Sequence, residues 1–140
     1  MVLADVNVLV NAFRSDAPEH KVCREWLDDV SGGDARFGIS TSVLSGVIRV
    51  VTHRKIFEDP NTTREALEYC SALIDQPHSI VLHPGRRHWK IFRRLCLEAE
   101  ARGNLVPDAW HAALAIEHGC RWITLDRDFA KFAGLDWATP

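Results

Sequence analysis

The segment VPDAWHAALAIEHGCRWITLDRDF, residues 106–129, contains a predicted helix, a tight turn, a predicted strand and three aspartates. Pro107 suits the first position of a helix, where its missing N–H costs nothing, and Asp108 adds negative charge where the helix dipole favours it. Gly119 is placed for a left-handed C-terminal cap. A narrow face that packs closely against another element is predicted from the helical spacing of Ala109, Ala112, Ala113 and Ile116.

The second half of this segment predicts a buried strand over 121–125, because it is short, apolar and partly β-branched. Asp126 follows that strand, and Asp128 comes two residues later. In open α/β sheets ligands bind beyond the carboxyl ends of the strands. The three aspartates are therefore expected where chemistry would take place, although the dipole alone would explain Asp108.

The N-terminus repeats this arrangement. Met1 to Ala4 is apolar and leads into Asp5, so we predict a strand to about Asp5 followed by a helix that Asp5 or Asn7 could begin. The valines that follow also favour strand, which leaves this division open. Asp5 would lie at the end of a strand, as Asp126 does, and its plainest interpretation by itself is a helix N-cap.

The remaining chain alternates helices and strands. The residue patterns predict helices over 19–30, from 40–42 to about 53, over 62–74 with a Thr62–Glu65 capping box, and from 86 to about 102, and strands over 36–39, 79–82 and near 136–138. This order predicts one α/β domain over residues 1–140, with three layers (α/β/α) and a mainly parallel central sheet.

The composition excludes some functions. Seventeen basic and 19 acidic residues give a net charge of −2, so any binding to nucleic acid must use a local patch. The four cysteines are spread singly, which predicts reduced thiols and neither a zinc site nor a redox motif. The N-terminus has no signal-peptide pattern and no membrane association is expected, so a cytoplasmic protein is the default expectation.

The aspartates at the strand ends predict a metal centre. Carboxylates gathered within a few ångströms repel one another, and without a cation some would remain protonated at neutral pH. Oxygen ligands suit Mg²⁺ or Mn²⁺, whereas zinc would favour His or Cys. His111 and His118 lack a metal-binding spacing, and we interpret both as ordinary helix residues.

A cationic stripe accompanies the predicted helix that begins near Arg86. It could attract phosphate, but such a charge run is more often the solvated face of an amphipathic helix. It comprises Arg86, Arg87, Lys90, Arg93 and Arg94. Both interpretations remain open.

Three segments in order resemble VapC-type PIN-domain toxins: LADVNVLVNAF (3–13), SVLSGVIRVVTHRKIF (42–57) and GNLVPDAWHAALAIEHGCRWITLDRDFAKFAGLDW (103–137). The resemblance implies a parallel sheet with helices on both faces and a Mg²⁺- or Mn²⁺-dependent endoribonuclease of a toxin–antitoxin pair. It implies cleavage of structured RNA, tRNA or ribosomal RNA, by a metal-activated water. It also implies inhibition by a cognate VapB antitoxin, and a homodimer.

Carried over by position, the resemblance makes Asp5, Asp108 and Asp126 the metal-binding acids. Asp128 is a further catalytic acid, matching the second acid of a DRDF variant. The resemblance of the RVVT segment implies that Arg49 and Thr52 face the substrate or the site. The cationic stripe predicts RNA contacts for Arg86, Lys90 and Arg93, and Asn7 and Thr124 are expected to support the acids.

One position departs from the family pattern. Most PIN domains have a glutamate in the helix after the second strand, and here Gly46 occupies the corresponding place. The alternative function is therefore a PIN module of weak or lost catalysis that acts by binding RNA or a partner. A receiver-like signalling domain is disfavoured, because no middle strand ends in aspartate and Lys131 lies beyond the acidic cluster.

Overall fold

The computed structural model describes all residues from Met1 to Pro140. Six α-helices, five strands and one 3₁₀ turn follow one another along the chain. In order they are β1 (Val2–Ala4), α1 (Val6–Phe13), α2 (His20–Gly32), β2 (Phe37–Ser40), α3 (Thr41–Val51), α4 (Thr63–Ile74), β3 (Ser79–Leu82), α5 (His88–Glu98), α6 (Leu105–His118), β4 (Arg121–Ile123), the 3₁₀ turn (Arg127–Lys131) and β5 (Trp137–Ala138).

The five strands form one sheet in the order β3-β2-β1-β4-β5. All four pairings are parallel, with Leu3 opposite Gly38 on one side and opposite Trp122 on the other. The helices form two groups: α1, α3 and their neighbours α2 and α4 pack together, and α5 packs on α6. The predicted α/β class and parallel sheet are confirmed.

The core lies between the sheet and its helices. Trp122 of β4 is fully buried, and the alanines of α6 allow that helix to lie close to the strands. Ala109, Ala112 and Ala113 have no exposed surface, as their spacing predicts. The four cysteines are free thiols, three of them buried.

Two predicted helix caps are present. Thr62 and Glu65 form the reciprocal hydrogen bonds of a capping box at the start of α4. Gly119 ends α6 with a φ of 63°, a left-handed conformation that costs glycine little because it has no Cβ.

Several predicted boundaries are wrong. Helix α5 runs from His88 to Glu98 instead of 86 to about 102. Before its start, Glu117 accepts hydrogen bonds from the Gly85 and Arg87 amides. After it, Glu100 turns the chain with a φ of 48°. Helix α6 begins two residues before Pro107, and β4 ends at Ile123 instead of 125.

The apolar side chains of α5 are only partly buried. Leu95 is fully buried, but Trp89 is 64% exposed and does not belong to the core. No helix of the chain is both long enough and apolar enough to span a lipid bilayer.

Candidate active site

The sheet topology brings two of the predicted acids together. Strands β1 and β4 are adjacent and parallel, with Ala4 opposite Ile123, so the residues that follow them leave the same edge of the sheet. The Asp5 amide donates to the Ile123 carbonyl at 2.8 Å, which extends the pairing by one residue. Asp5 and Asp126 therefore start neighbouring turns above this edge.

Asp5 is the N-cap of α1 and is 6% exposed. One carboxylate oxygen accepts a hydrogen bond from the Val6 amide at 2.7 Å. The other accepts from the Thr124 hydroxyl at 2.6 Å and from the Asn7 side-chain amide at 2.9 Å. Three donors thus fix the orientation of this carboxylate. Asp5 is the N-cap of α1, and it also lies at the edge of the sheet where the other acids are expected.

Thr124 and Asn7 join the two turns. Thr124 Oγ1 also accepts from the Asp126 amide at 3.0 Å, while Asn7 Oδ1 accepts from the Leu125 amide at 3.1 Å. Because Thr124 has no exposed surface, its single hydroxyl proton is committed to Asp5. Both side chains therefore hold the Asp5 carboxylate next to the turn that carries Asp126, and their supporting role in function stays a prediction.

Asp108 reaches the same edge from the first turn of α6 and is half-buried. Burial raises the pKa of its carboxyl to about 6, with further increases from the negative charges of Asp5, Asp126 and Asp128. No hydrogen bond to the carboxylate opposes this increase. Asp108 is therefore a carboxylate without donors, facing other acids.

Burial likewise raises the pKa of Asp5 to about 6. The charge of Asp126 adds to the increase, while the hydrogen bonds from Thr124, Val6 and Asn7 oppose it. Desolvation and like charges both disfavour the ionised form of a carboxyl group. A bound cation would relieve both effects.

Asp5, Asp108 and Asp126 line a single pocket of about 700 Å³. Asp128 does not line it: this side chain is exposed and its carboxylate forms an ion pair with Lys131 at 3.1 Å. The structure thus brings three of the four predicted acids together and leaves the fourth outside the pocket, close enough to influence Asp108.

The PIN domain family model matches residues 2–135 of the chain. Ribonuclease VapC31 and ribonuclease VapC25 of Mycobacterium tuberculosis are each 42% identical to it over 140 residues, which cover the whole chain and 99% of VapC31. The chain belongs to the VapC family of PIN-domain ribonucleases.

Solved structures support the fold of this VapC-family chain. VapBC2 from Rickettsia felis, bound to a promoter DNA fragment, has a TM-score of 0.71 at 16% identity, covering 99% of this chain and 98% of that one. VapC20 of Mycobacterium tuberculosis, described as a sarcin-ricin loop cleaving toxin, has a TM-score of 0.70 at 15% identity, covering 96% of each chain.

No group of three or more His, Cys, Asp or Glu side chains has the arrangement of a complete metal site. The chemistry of the donors nevertheless fits Mg²⁺ or Mn²⁺, since the pocket offers carboxylate oxygens. Mg²⁺ commonly uses only one or two protein carboxylates and completes its shell with water and substrate phosphates. The raised pKa values of Asp5 and Asp108 are a second sign that this VapC-family pocket suits a cation.

The wall opposite the acids comes from α3. Arg49 lines the pocket, as does Gly46, the residue at the place of the family glutamate. A Cβ on Gly46 would lie 2.8 Å from Val6 Cγ2, so α1 occupies the space that a side chain would need. Thr52 does not line the pocket; its hydroxyl donates to the Ile48 carbonyl at 2.7 Å, and the predicted substrate contact has no support in the structure.

The cations of the α5 stripe lie outside the pocket. Arg94 pairs with Glu98 at 2.8 Å, and Arg87 donates to the Glu117 carbonyl. Ion pairs with carboxylates are absent for the remaining three, which are all exposed: Arg86, Lys90 and Arg93.

His111 is a residue of α6, and its interpretation as an ordinary helix residue stays a prediction. His111 lines the pocket together with the acids, and burial lowers its pKa to about 4. It follows Asp108 by three residues, a spacing that places two side chains on the same helix face. This spacing is the signal in the sequence from which the position of His111 near Asp108 could have been predicted. Other pocket-lining residues that the motifs did not indicate are Ser42, Ser45 and Asn104.

Proposed function

We propose that the chain is a Mg²⁺- or Mn²⁺-dependent endoribonuclease, the toxin of a VapBC pair, which hydrolyses phosphodiester bonds in structured RNA such as tRNA or ribosomal RNA. One observation carries the proposal: Asp5, Asp108 and Asp126 line one pocket, and the pKa values of the first two are raised to about 6 by burial and mutual repulsion. The ribonuclease names of relatives at 42% identity support it.

In this proposal Asp5 and Asp108 are the main metal ligands and Asp126 assists them. A divalent cation bound there would lower the pKa of an attacking water and offset charge on the scissile phosphate. Asp5 is held in place by its three hydrogen-bond donors, so its oxygens present a fixed geometry. No side chain acts as a covalent nucleophile.

Arg49 is the only lysine or arginine that lines the pocket. Its exposed guanidinium at the end of α3 is suited to bind a phosphate oxygen of the RNA next to the cleaved bond. Asp128 lies outside the pocket, so we assign it an electrostatic influence on Asp108 instead of a direct catalytic contact.

The exposed face of α5 is the proposed surface for the flanking RNA backbone. Lys90 and Arg93 have no carboxylate partners, so a bound phosphate would not compete with an existing ion pair. Replacing either with alanine should reduce the slope of log affinity against log salt by about one. Arg24→Ala, which removes a cation already paired with Asp28 on α2, is the control and should leave the slope unchanged.

The proposed protein partner is a cognate VapB-type antitoxin. Complexes of related fold support this proposal, among them VapBC2 of Rickettsia felis and FitAB bound to a DNA fragment, although their identity to this chain is only 16–17%. Homodimer formation stays a prediction from the family resemblance, and light scattering of the purified protein would test it.

The experiment is cleavage of total cellular RNA by the purified protein with Mg²⁺, Mn²⁺ or EDTA. We expect discrete fragments that require a divalent cation and disappear in Asp5→Asn and Asp108→Asn, while Asp28→Asn, which removes an exposed acid on α2, remains active. Cleavage retained by both pocket variants would contradict the assignment of these acids.

Two observations favour a second candidate, a PIN module that binds RNA or a partner with weak or no catalysis. Gly46 supplies no carboxylate where the family has glutamate, and no three acidic side chains form a complete metal site. Binding of RNA without cleavage under either cation, by a folded protein free of antitoxin, would support this candidate over the nuclease.

A further inference from the structure

His111 is one of the pocket residues to which the family resemblance gives no role. It lies on α6 one turn after Asp108 and lines the same pocket as the acids. Burial and, to a smaller extent, the charge of His88 lower its pKa to about 4, so the imidazole is neutral at pH 7. A neutral imidazole carries one N–H donor and one acceptor nitrogen, and its surroundings decide which nitrogen has the proton.

Two buried side-chain atoms lack a hydrogen-bond partner within the protein: His111 Nδ1 and Trp122 Nε1. Their rings are stacked, with centroids 5.7 Å apart and planes within 11° of parallel. The indole nitrogen can only donate. If His111 Nδ1 were also a donor, a water shared by the two atoms could accept from both N–H groups, but no unpartnered buried side-chain acceptor would remain for its own hydrogens. An acceptor at Nδ1 takes one of those hydrogens.

One buried water would satisfy both atoms, because it can accept from Trp122 Nε1–H and donate to His111 Nδ1. Buried waters of this kind, linking polar groups that have no other partner, are ordinary parts of protein interiors. With Nδ1 as the acceptor, the proton of the neutral ring is on Nε2. That leaves His111 with a donor and no lone pair for the pocket.

We propose that His111 presents an Nε2–H donor to a phosphate oxygen of the RNA, with its tautomer set by a buried water shared with Trp122. This inference rests on the proposed nuclease function and deepens it. His111 contacts substrate and does not ligate the cation, since ligation through Nε2 would require the opposite tautomer. The pocket then offers RNA a charged donor from Arg49 and a neutral one from His111.

The first test is the imidazole nitrogen spectrum of the full chain, uniformly labelled with ¹⁵N and free of metal, at about pH 7. We expect the His111 signals of the Nε2–H tautomer. The Trp122→Phe variant removes the indole donor and should shift the spectrum toward a mixture of tautomers. A wild-type spectrum with the proton on Nδ1 would overturn the proposal without reference to any variant.

The second test is steady-state cleavage of a defined RNA hairpin. His111→Phe keeps a planar ring without a donor and should lower kcat/KM about 10- to 100-fold, the loss expected for a hydrogen bond to a charged group. His111→Gln places an amide donor at similar reach and should restore most of the activity. Undiminished kcat/KM in His111→Phe would contradict the substrate contact.

The affinity for metal distinguishes a substrate contact by His111 from a metal ligand. Mn²⁺ titrations monitored by thermal unfolding should give the same affinity for wild type and His111→Phe; a weakened affinity would show instead that His111 is a ligand. Absence of cleavage by the wild type with either cation would contradict the proposed function itself. The nitrogen spectrum would still decide the tautomer in that case, so the two failures are distinguishable.

Discussion

Asp5→Asn should change how the stability of the metal-free protein depends on pH. Asp5 is 6% exposed, and burial raises its pKa to about 6 in the folded state from an ordinary value of 3.8. The difference between these values, 6 − 3.8, corresponds to about 3 kcal/mol. Because the folded state binds this proton more tightly, the contribution of Asp5 to the free energy of unfolding falls as the pH rises from about 4 to about 6 and is constant above that range.

His111 has the opposite effect, so the wild-type profile alone is not diagnostic. Its pKa is lowered from 6.5 to about 4, and the folded state therefore binds this proton less tightly. Stability from this group rises with pH over about 4 to 6.5, which opposes the falling contributions of Asp5 and of Asp108, whose pKa is likewise raised to about 6. The difference in unfolding free energy between Asp5→Asn and wild type removes the His111 contribution.

The unfolding free energy of Asp5→Asn minus that of the wild type should rise by about 3 kcal/mol between about pH 4 and pH 8. In Asp5→Asn the side-chain NH2 group, a donor, replaces one of the two carboxylate oxygens. It would face a donor that this oxygen accepted from, either the Val6 amide or the Thr124 and Asn7 side chains. This mismatch costs about 1–3 kcal/mol at every pH and so does not alter the shift.

The assay is urea unfolding of both proteins in EDTA, followed by circular dichroism across this pH range. Asp28→Asn is the control, because the Asp28 side chain is exposed and its difference from wild type should stay nearly constant. An equal difference between Asp5→Asn and wild type at about pH 4 and pH 8 would refute the reasoning, since a buried carboxyl with a raised pKa cannot give that result.

Three further predictions concern stability. Gly119→Ala should lower the unfolding free energy by about 1 kcal/mol, because φ is 63° there. Gly32→Ala is the control and should be neutral or stabilising, since its added Cβ would have no atom within 4 Å and its φ is not positive. The urea midpoints of the two variants test this difference. Gly46→Ala should destabilise the protein by about 1–2 kcal/mol despite the better helix propensity of alanine, since the added Cβ would lie 2.8 Å from Val6 Cγ2. Adding Val6→Ala should recover part of that loss. If stability is not recovered, this contact is not the cause. Mn²⁺ at about 100 times its dissociation constant should stabilise the wild type by about 2.7 kcal/mol near pH 8, and EDTA should reverse the shift in Tm, whereas a Tm insensitive to Mn²⁺ would contradict a metal site.

Local patterns in the sequence were sufficient for most of the architecture. Strand β3 has the predicted bounds, and the capping box of Thr62 and Glu65 places the start of α4, because these signals depend on neighbouring residues only. The start of α5 was mispredicted because Glu117, about thirty residues away, accepts hydrogen bonds from the Gly85 and Arg87 amides. Side-chain contacts of that kind leave no local signal.

For the site, the sequence by itself determined which acids follow β1 and β4 and open α6. Their residue types and positions in the alternating pattern predicted the shared sheet edge. The tertiary structure decided which of them face one pocket: Asp128 turns outward to Lys131, while Asp5 is enclosed and bonded to Thr124, 119 residues away in the chain. It also decided the surroundings of His111 and Gly46, since burial, stacking and steric room arise only where separate elements pack together.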